Sequence, residues 1–190
     1  MIEKLNTFWS SFANDCAPEA DELKNVLKER WVRFHSLPES KRYPENEQEF
    51  IEIFSRHNTV LTEIFGLPID LFIVLPEYSG KREPTRPENI LLGLYPKTDY
   101  WKTIDQSDED EEYFTHLHAA KIHYTGSELD DLLRLVAEEK VGSVLIFTDD
   151  GKAIFHPYDG GADIIMSNAD ARDSLKQKHV DWLSSYPGGY

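Results

Sequence analysis

Between Val144 and Met166 the chain has to reverse direction twice within a short span. Val144 to Phe147 is an apolar run of strand length. Asp150-Gly151 follows, a dipeptide that tolerates the positive φ of a tight hairpin turn. Lys152 to His156 returns as the partner strand, Tyr158-Asp159-Gly160-Gly161 makes a second turn, and Asp163 to Met166 reads as a third strand. Strands joined by turns this short can pair only antiparallel, because a parallel pair needs a crossover of a dozen residues or more. Whatever else the chain does, it must cover an antiparallel meander.

The remaining segments supply the cover. Ile2, Leu5, Phe8, Trp9 and Phe12 fall at helical spacing over 2–13, and a second helix opens at Pro18 with Leu23, Val26 and Leu27 on one stripe. From Trp31 to Ser36 the period changes to two, so Val32 and Phe34 share one face of a strand and Arg33 and His35 the other. Phe50, Ile51, Phe54, Leu61, Ile64 and Phe65 predict a helix over 46–65, closed by Gly66 and Pro68. Leu71 to Leu75 reads as a buried strand, Ile90 to Tyr95 and Tyr100 to Ile104 as strands, and Tyr113 to Tyr124 as extended, with Ala119-Ala120 marking a break. Ser127 and Asp130 suggest a capping box for a helix carrying Leu129, Leu132, Leu133 and Val136. Asn168 caps a last helix, and the tail from Tyr186 to Tyr190 is expected to be loose. The expectation is one α+β domain over 1–190, a largely antiparallel sheet with helices packed on one face.

Charge and motif content exclude several functions. There are 35 Asp and Glu against 20 Lys and Arg, a formal charge of −15, which argues against nucleic acid and anionic membranes as partners. The longest apolar runs are far below the ~20 residues that span a bilayer, and residues 1–20 read as an amphipathic segment rather than a signal peptide. One cysteine builds neither a disulfide framework nor a Cys-based zinc site, so the expected setting is the cytoplasm. The chain has no GxxxxGK[ST], GxGxxG, GxSxG or HExxH signature, and no cofactor is expected.

Three constellations could carry chemistry. Arg33 and His35 on one strand face, with Lys41 and Arg42 close behind, form a basic island that suits an anion or phosphate grip; a solvated face pairing with carboxylates explains it equally. His156, Asp159 and Asp163 crowd a glycine-rich hairpin end, where a base or metal site could form, although turn chemistry accounts for each residue type. His116 and His118 share a strand face at a spacing some zinc sites use, but no third ligand stands at a suitable offset, so no metal is expected. Acidity is also uneven. Residues 1–100 hold 17 acids and 12 bases (net −5), residues 101–190 hold 18 and 8 (net −10), and Asp105, Asp108, Glu109, Asp110, Glu111 and Glu112 sit within eight positions, flanked by Trp101 and Tyr113.

Two stretches carry a resemblance. RWVRFHSLPESKRYP over 30–44, continued by RHNTVL over 56–61, and FHPYDGGAD over 155–163, continued by ARDSL over 171–175 and WLS over 182–184, are similar to a family of small bacterial proteins catalogued as a domain of unknown function. The resemblance covers nearly the whole chain and implies a cytoplasmic, single-domain α+β protein. It implies no activity and no catalytic residues, but it singles out Arg33, His35, Tyr158 and Asp159, which fall inside its motifs.

Two readings of function result. In the first the protein is a non-enzymatic binder, an immunity-type inhibitor that meets a basic protein toxin with the 105–112 carboxylates, Trp101 and Tyr113. In the second it is an enzyme acting on a phosphate-bearing or other anionic small molecule, with Arg33, Lys41 and Arg42 binding charge and His35 or His156 with Asp159 moving protons. The second requires the strand at 31–36 and the turn at 157–161 to meet in one cleft. The sequence fixes no oligomeric state.

Overall fold

The structure of the protein, a computed structural model, describes residues 1–13, 16–87 and 89–184; the tail at 186–190 lies outside the described residues. In chain order the elements are α1 (Ile2–Phe12), α2 (Ala20–Val26), β1 (Trp31–His35), α3 (Glu47–Phe65), β2 (Ile69–Ser79), α4 (Asn89–Leu94), β3 (Asp99–Asp105), β4 (Phe114–Tyr124), α5 (Asp130–Ala137), β5 (Leu145–Phe147), β6 (Ala153–Tyr158), β7 (Gly161–Met166) and α6 (Ala169–Lys178). The seven strands form one sheet in the order β1-β7-β6-β5-β2-β4-β3, with every neighbouring pair antiparallel. The α+β class and the antiparallel sheet are as expected, and the meander of β5, β6 and β7 is the one the turn residues specify.

Helices cover both faces of the sheet, not one. Leu71, Ile73 and Leu75 of β2 pack with Val60, Leu61, Leu132, Leu133 and Leu175 from α3, α5 and α6. The intervening Phe72 and Val74 pack with Leu5, Phe8, Trp9 and Leu23 from α1 and α2, where Phe8 stacks on Phe147 of β5 at 4.3 Å. The reason lies in the strands themselves. β2 is buried at six successive positions and β5 at all three, so polar alternation is missing and neither face can be left to water.

Other differences are local. Residues 90–94 are helical, because a five-residue apolar run has no period that separates a strand from one helical turn. β2 continues through Pro76 to Ser79; β5 pairs only with 72–74, so the missing N–H interrupts no ladder on that side. β4 runs unbroken through Ala119-Ala120, and the irregularity falls instead in β3, between Tyr100 and Lys102. The N-cap of α5 is Leu129 without a side-chain bond, while Glu128 accepts hydrogen bonds from the amides of Thr125, Gly126 and Ser127. The cap at Asn168 is as expected, and Asn46 caps α3 in the same way, each side chain accepting from an amide three residues on.

One corner of the sheet is polar. On the α1–α2 face, Trp31, Ile165 and Ile154 belong to the core. The next row along the same strands is Arg33, Asp163 and His156, aligned across β1, β7 and β6, and the row after it is His35, Gly161 and Tyr158. Apolar cover stops where these rows begin.

Candidate functional site

Those two rows floor a cleft of about 500 Å³, closed by Asp21 of α2 and by Ser40, Arg42 and Ser143 from connecting segments. Asp163 anchors it. The residue is 5% exposed, and its Oδ1 accepts from Trp31 Nε1 (2.8 Å) and Arg33 Nε (2.7 Å) while Oδ2 accepts from Arg33 Nη2 (2.7 Å). Three donors to one carboxylate meet the requirement that a buried charge be paired and hydrogen-bonded. The Arg33 guanidinium also lies 4.8 Å over the Tyr158 ring and 5.5 Å over Trp31. Arg42 holds Asp159 in the same bidentate manner through Nε and Nη2. Both cations therefore arrive with a carboxylate in hand and an Nη1 to spare.

The histidines differ from each other. His156 Nδ1 donates to the Val144 carbonyl at 2.8 Å, which places the lone pair of the neutral ring on Nε2. Burial holds its pKa below the usual value, against opposing pulls from the Val144 carbonyl and Asp163. His35 is lowered by burial and then by Arg33, and its Nε2 is shielded from solvent with no hydrogen-bond partner among the described residues. Tyr158 is pushed up to about 12, chiefly by burial, so its phenol remains protonated and able to donate.

Two backbone features shape the walls. A Cβ on Gly161 would lie 2.0 Å from the Phe34 carbonyl oxygen and 3.0 Å from the Tyr158 hydroxyl; one on Gly160 would lie 3.1 Å from the Tyr158 ring and 3.3 Å from Arg42 Cγ. The double glycine thus lets β1 and Tyr158 approach the turn. Ser40 and Ser143, both lining the cleft, have left-handed backbones (φ 58° and 53°), a conformation costing of order 1–3 kcal/mol that collects at functional sites.

The cleft brings together Arg33, His35, Arg42, His156 and Asp159. It does not include Lys41, whose Nζ is bound to Glu49 at 2.6 and 2.8 Å and to Glu45 at 3.2 Å. Asp159 holds Arg42 rather than a histidine, so the His156–Asp159 proton relay is not formed. Asp21, Ser40 and Ser143 escaped the sequence reading; an acid in a helical first turn and two loop serines are ordinary in sequence, and only left-handed φ distinguishes the serines.

The acidic block lies elsewhere, from the end of β3 through the loop to β4. Its carboxylates are exposed. Asp108 Oδ1 accepts from the amides of Asp110 and Glu111 (both 2.9 Å), which hold its carboxyl below the usual range, and Asp105 Oδ1 accepts from the amide of Ser107 (3.2 Å); the Ser107 side chain first, and then that amide, lower the Asp105 carboxyl likewise. Tyr113 stacks on Tyr78 at 6.0 Å, the two rings 39% and 47% exposed. Trp101 has to be removed from this surface. It is 6% exposed, packs edge-on to Trp9 at 5.5 Å and donates to Asn6 Oδ1 at 2.8 Å, because the irregularity in β3 turns it under α1.

Among the described residues no group of three or more His, Cys, Asp or Glu could hold a metal ion. His116 spends both nitrogens, Nε2 donating to the Lys81 carbonyl (3.0 Å) and Nδ1 accepting from Thr103 (2.7 Å). No helix among the described residues is long and apolar enough to cross a membrane. No curated protein and no solved structure matches the chain. A family model, described as Domain of unknown function (DUF3885), matches residues 20–187, and the chain belongs to that family.

Proposed function

We propose that this member of a family without an assigned activity binds a small polar molecule in the cleft between β1, β6, β7 and α2, and that His156 exchanges a proton with it. The observation that supports the reading is convergence. Groups from residues 21, 33–42, 143 and 156–163 share one cavity, within the size range of small-molecule sites, and several of their polar atoms are uncommitted. Arg33 Nη1, Arg42 Nη1 and the Tyr158 hydroxyl supply donors; His156 Nε2 supplies the acceptor. Since Asp159 and Asp163 already balance the two arginines and Lys24 balances Asp21, the site has no surplus positive charge and suits one carboxylate or phosphate monoester held by hydrogen bonds rather than a polyanion. Guanidinium groups fixed in advance lose little freedom on binding. The single thiol suits a cytoplasmic setting.

Titrating methyl phosphate and acetate while following backbone amide resonances tests this. We expect the Gly160 and Gly161 amides to shift, and Tyr158→Phe and Arg42→Ala each to weaken binding about tenfold, the effect of a lost hydrogen bond to a charged group. Amides that do not move, or affinities indifferent to both substitutions, would reject the reading.

A second reading rests on the exposed Tyr78–Tyr113 pair beside the acidic loop, which would suit a basic protein partner of the kind an immunity-type inhibitor neutralises. Replacing Asp108 to Glu112 by lysines should then slow association with such a partner and flatten its salt dependence; unchanged kinetics would rule the loop out as the contact.

A further inference from the structure

The cleft does not stop at His156. A second lobe of about 190 Å³ opens on the far side of that residue, and Asp21, Ser143 and His156 line both cavities. β5 is three residues long, so the sheet leaves a gap beside Ser143 that α2 roofs without filling. The second lobe is lined by Pro18, Pro76, Tyr78 and Leu117 and by polar groups, Gln106 and Thr115 among them. Within it Glu19 Oε1 is shielded from solvent and has no hydrogen-bond partner among the described residues. Lys24, the cation nearest in sequence, is committed to Asp21 at 2.7 Å. Burial, reinforced by Glu22 and Asp21, holds the Glu19 carboxyl above its usual pKa. An acceptor left bare in this way costs stability that an incoming donor restores.

We infer that the two lobes are one trough and that its ligand is two-ended, an acidic group beside Arg42 and Tyr158 and an amine that donates to Glu19, joined by a short spacer. The inference rests on the cleft being a ligand site and adds its substrate class. It also places His156 Nε2 at the middle of the ligand rather than at an end, so the proton it exchanges belongs to the spacer or to an atom adjoining it.

The test uses the full chain and four kinds of probe: methyl phosphate, n-propylammonium, n-propanol, and a series of 2-aminoethyl, 4-aminobutyl and 6-aminohexyl phosphates. We expect n-propylammonium, but not n-propanol, to shift the Gln106 and Thr115 amides, and Glu19→Gln to abolish that shift while the Gly160 response to methyl phosphate persists. One member of the aminoalkyl series should bind at least about tenfold tighter than methyl phosphate, the gain from tethering two weak contacts, and Glu19→Gln should erase the gain. A series that binds no tighter than methyl phosphate, or a gain that survives Glu19→Gln, overturns the two-ended ligand and leaves the cleft reading intact. No Gly160 response to methyl phosphate or to any of the series overturns both. Comparing the melting temperature of Glu19→Gln with that of the parent shows whether the variant is folded, and Glu19→Asp, which keeps the carboxylate but shortens its reach, provides a second variant that should lose most of the gain.

Discussion

Six carboxylates crowd the loop from Asp105 to Glu112, and three, from Asp21, Asp159 and Asp163, enter the cleft. In the loop the acids are neighbours in sequence and stay in water, and two of them, Asp105 and Asp108, accept from the loop's own backbone amides. In the cleft they come from places as much as 142 positions apart (21 and 163), and two of the three are fixed to arginines on other segments. The difference shows that a run of charge in a sequence marks where solvation is easy. Polar groups ready to act on a ligand are those that tertiary pairing removes from water and leaves partly uncommitted.

The largest expected effect tests the anchored half of that contrast. Asp163→Ala strands the Arg33 charge and the Trp31 N–H in a mostly buried setting, and should cost about 3–5 kcal/mol by urea unfolding. Glu109→Ala, in the loop, should stay within about 0.5 kcal/mol. Similar values at the two sites would mean that the Asp163 cluster does not hold the corner together.

Acid sensitivity comes next. His57 is 5% exposed, with Nε2 3.0 Å from the Ser36 hydroxyl, and burial followed by Arg56 lowers its pKa from 6.5 to about 4. The unfolded chain takes up the proton near 6.5 and the folded one only near 4, so stability is intact above pH 6.5 and is lost as pH falls through that window. The loss is on the order of 3 kcal/mol for this group, and His35 and His156, also lowered, act in the same direction. Urea midpoints at pH 7 and pH 4.5 should show it, with a shallower fall in His57→Gln. A fold that gains stability on acidification would contradict the buried neutral histidines.

The smallest effect separates the two glycines. Gly161→Ala sets a methyl against the Phe34 carbonyl and should cost about 1–3 kcal/mol, the usual range for overpacking. Gly160→Ala meets the edge of the Tyr158 ring and the Arg42 side chain, which can yield, and should cost less while weakening methyl phosphate binding. Equal penalties would show that the Phe34 contact relaxes freely.

Much of the fold was legible in the residues. Helical stripes located α1 and α3, turn dipeptides located β6 and β7, and the Asn168 cap fell where side-chain chemistry puts it. The period-two pattern that set Arg33 and His35 on one strand face is the face they occupy. What could not be read was pairing. Nothing local indicates that 31–35 lies against 161–165, and that register alone sets Arg33 opposite Asp163. Helices on both faces were within reach, since Leu71 to Leu75 shows no alternation. Trp101 was misplaced because a bulge changes which way a side chain turns and leaves no mark in composition.

The pairing of β1 with β7 has a consequence for how the molecule comes into being. The contact between Arg33 and Asp163 closes a loop spanning 130 positions, whereas β6 and β7 meet across a tight turn. Chains that depend on such distant closures fold slowly. During synthesis β1 must wait, its partner not yet made, until nearly the whole chain has left the ribosome. The cleft is therefore among the last features to assemble, and a chain interrupted before residue 161 would lack the strand that sets Asp163 against Arg33.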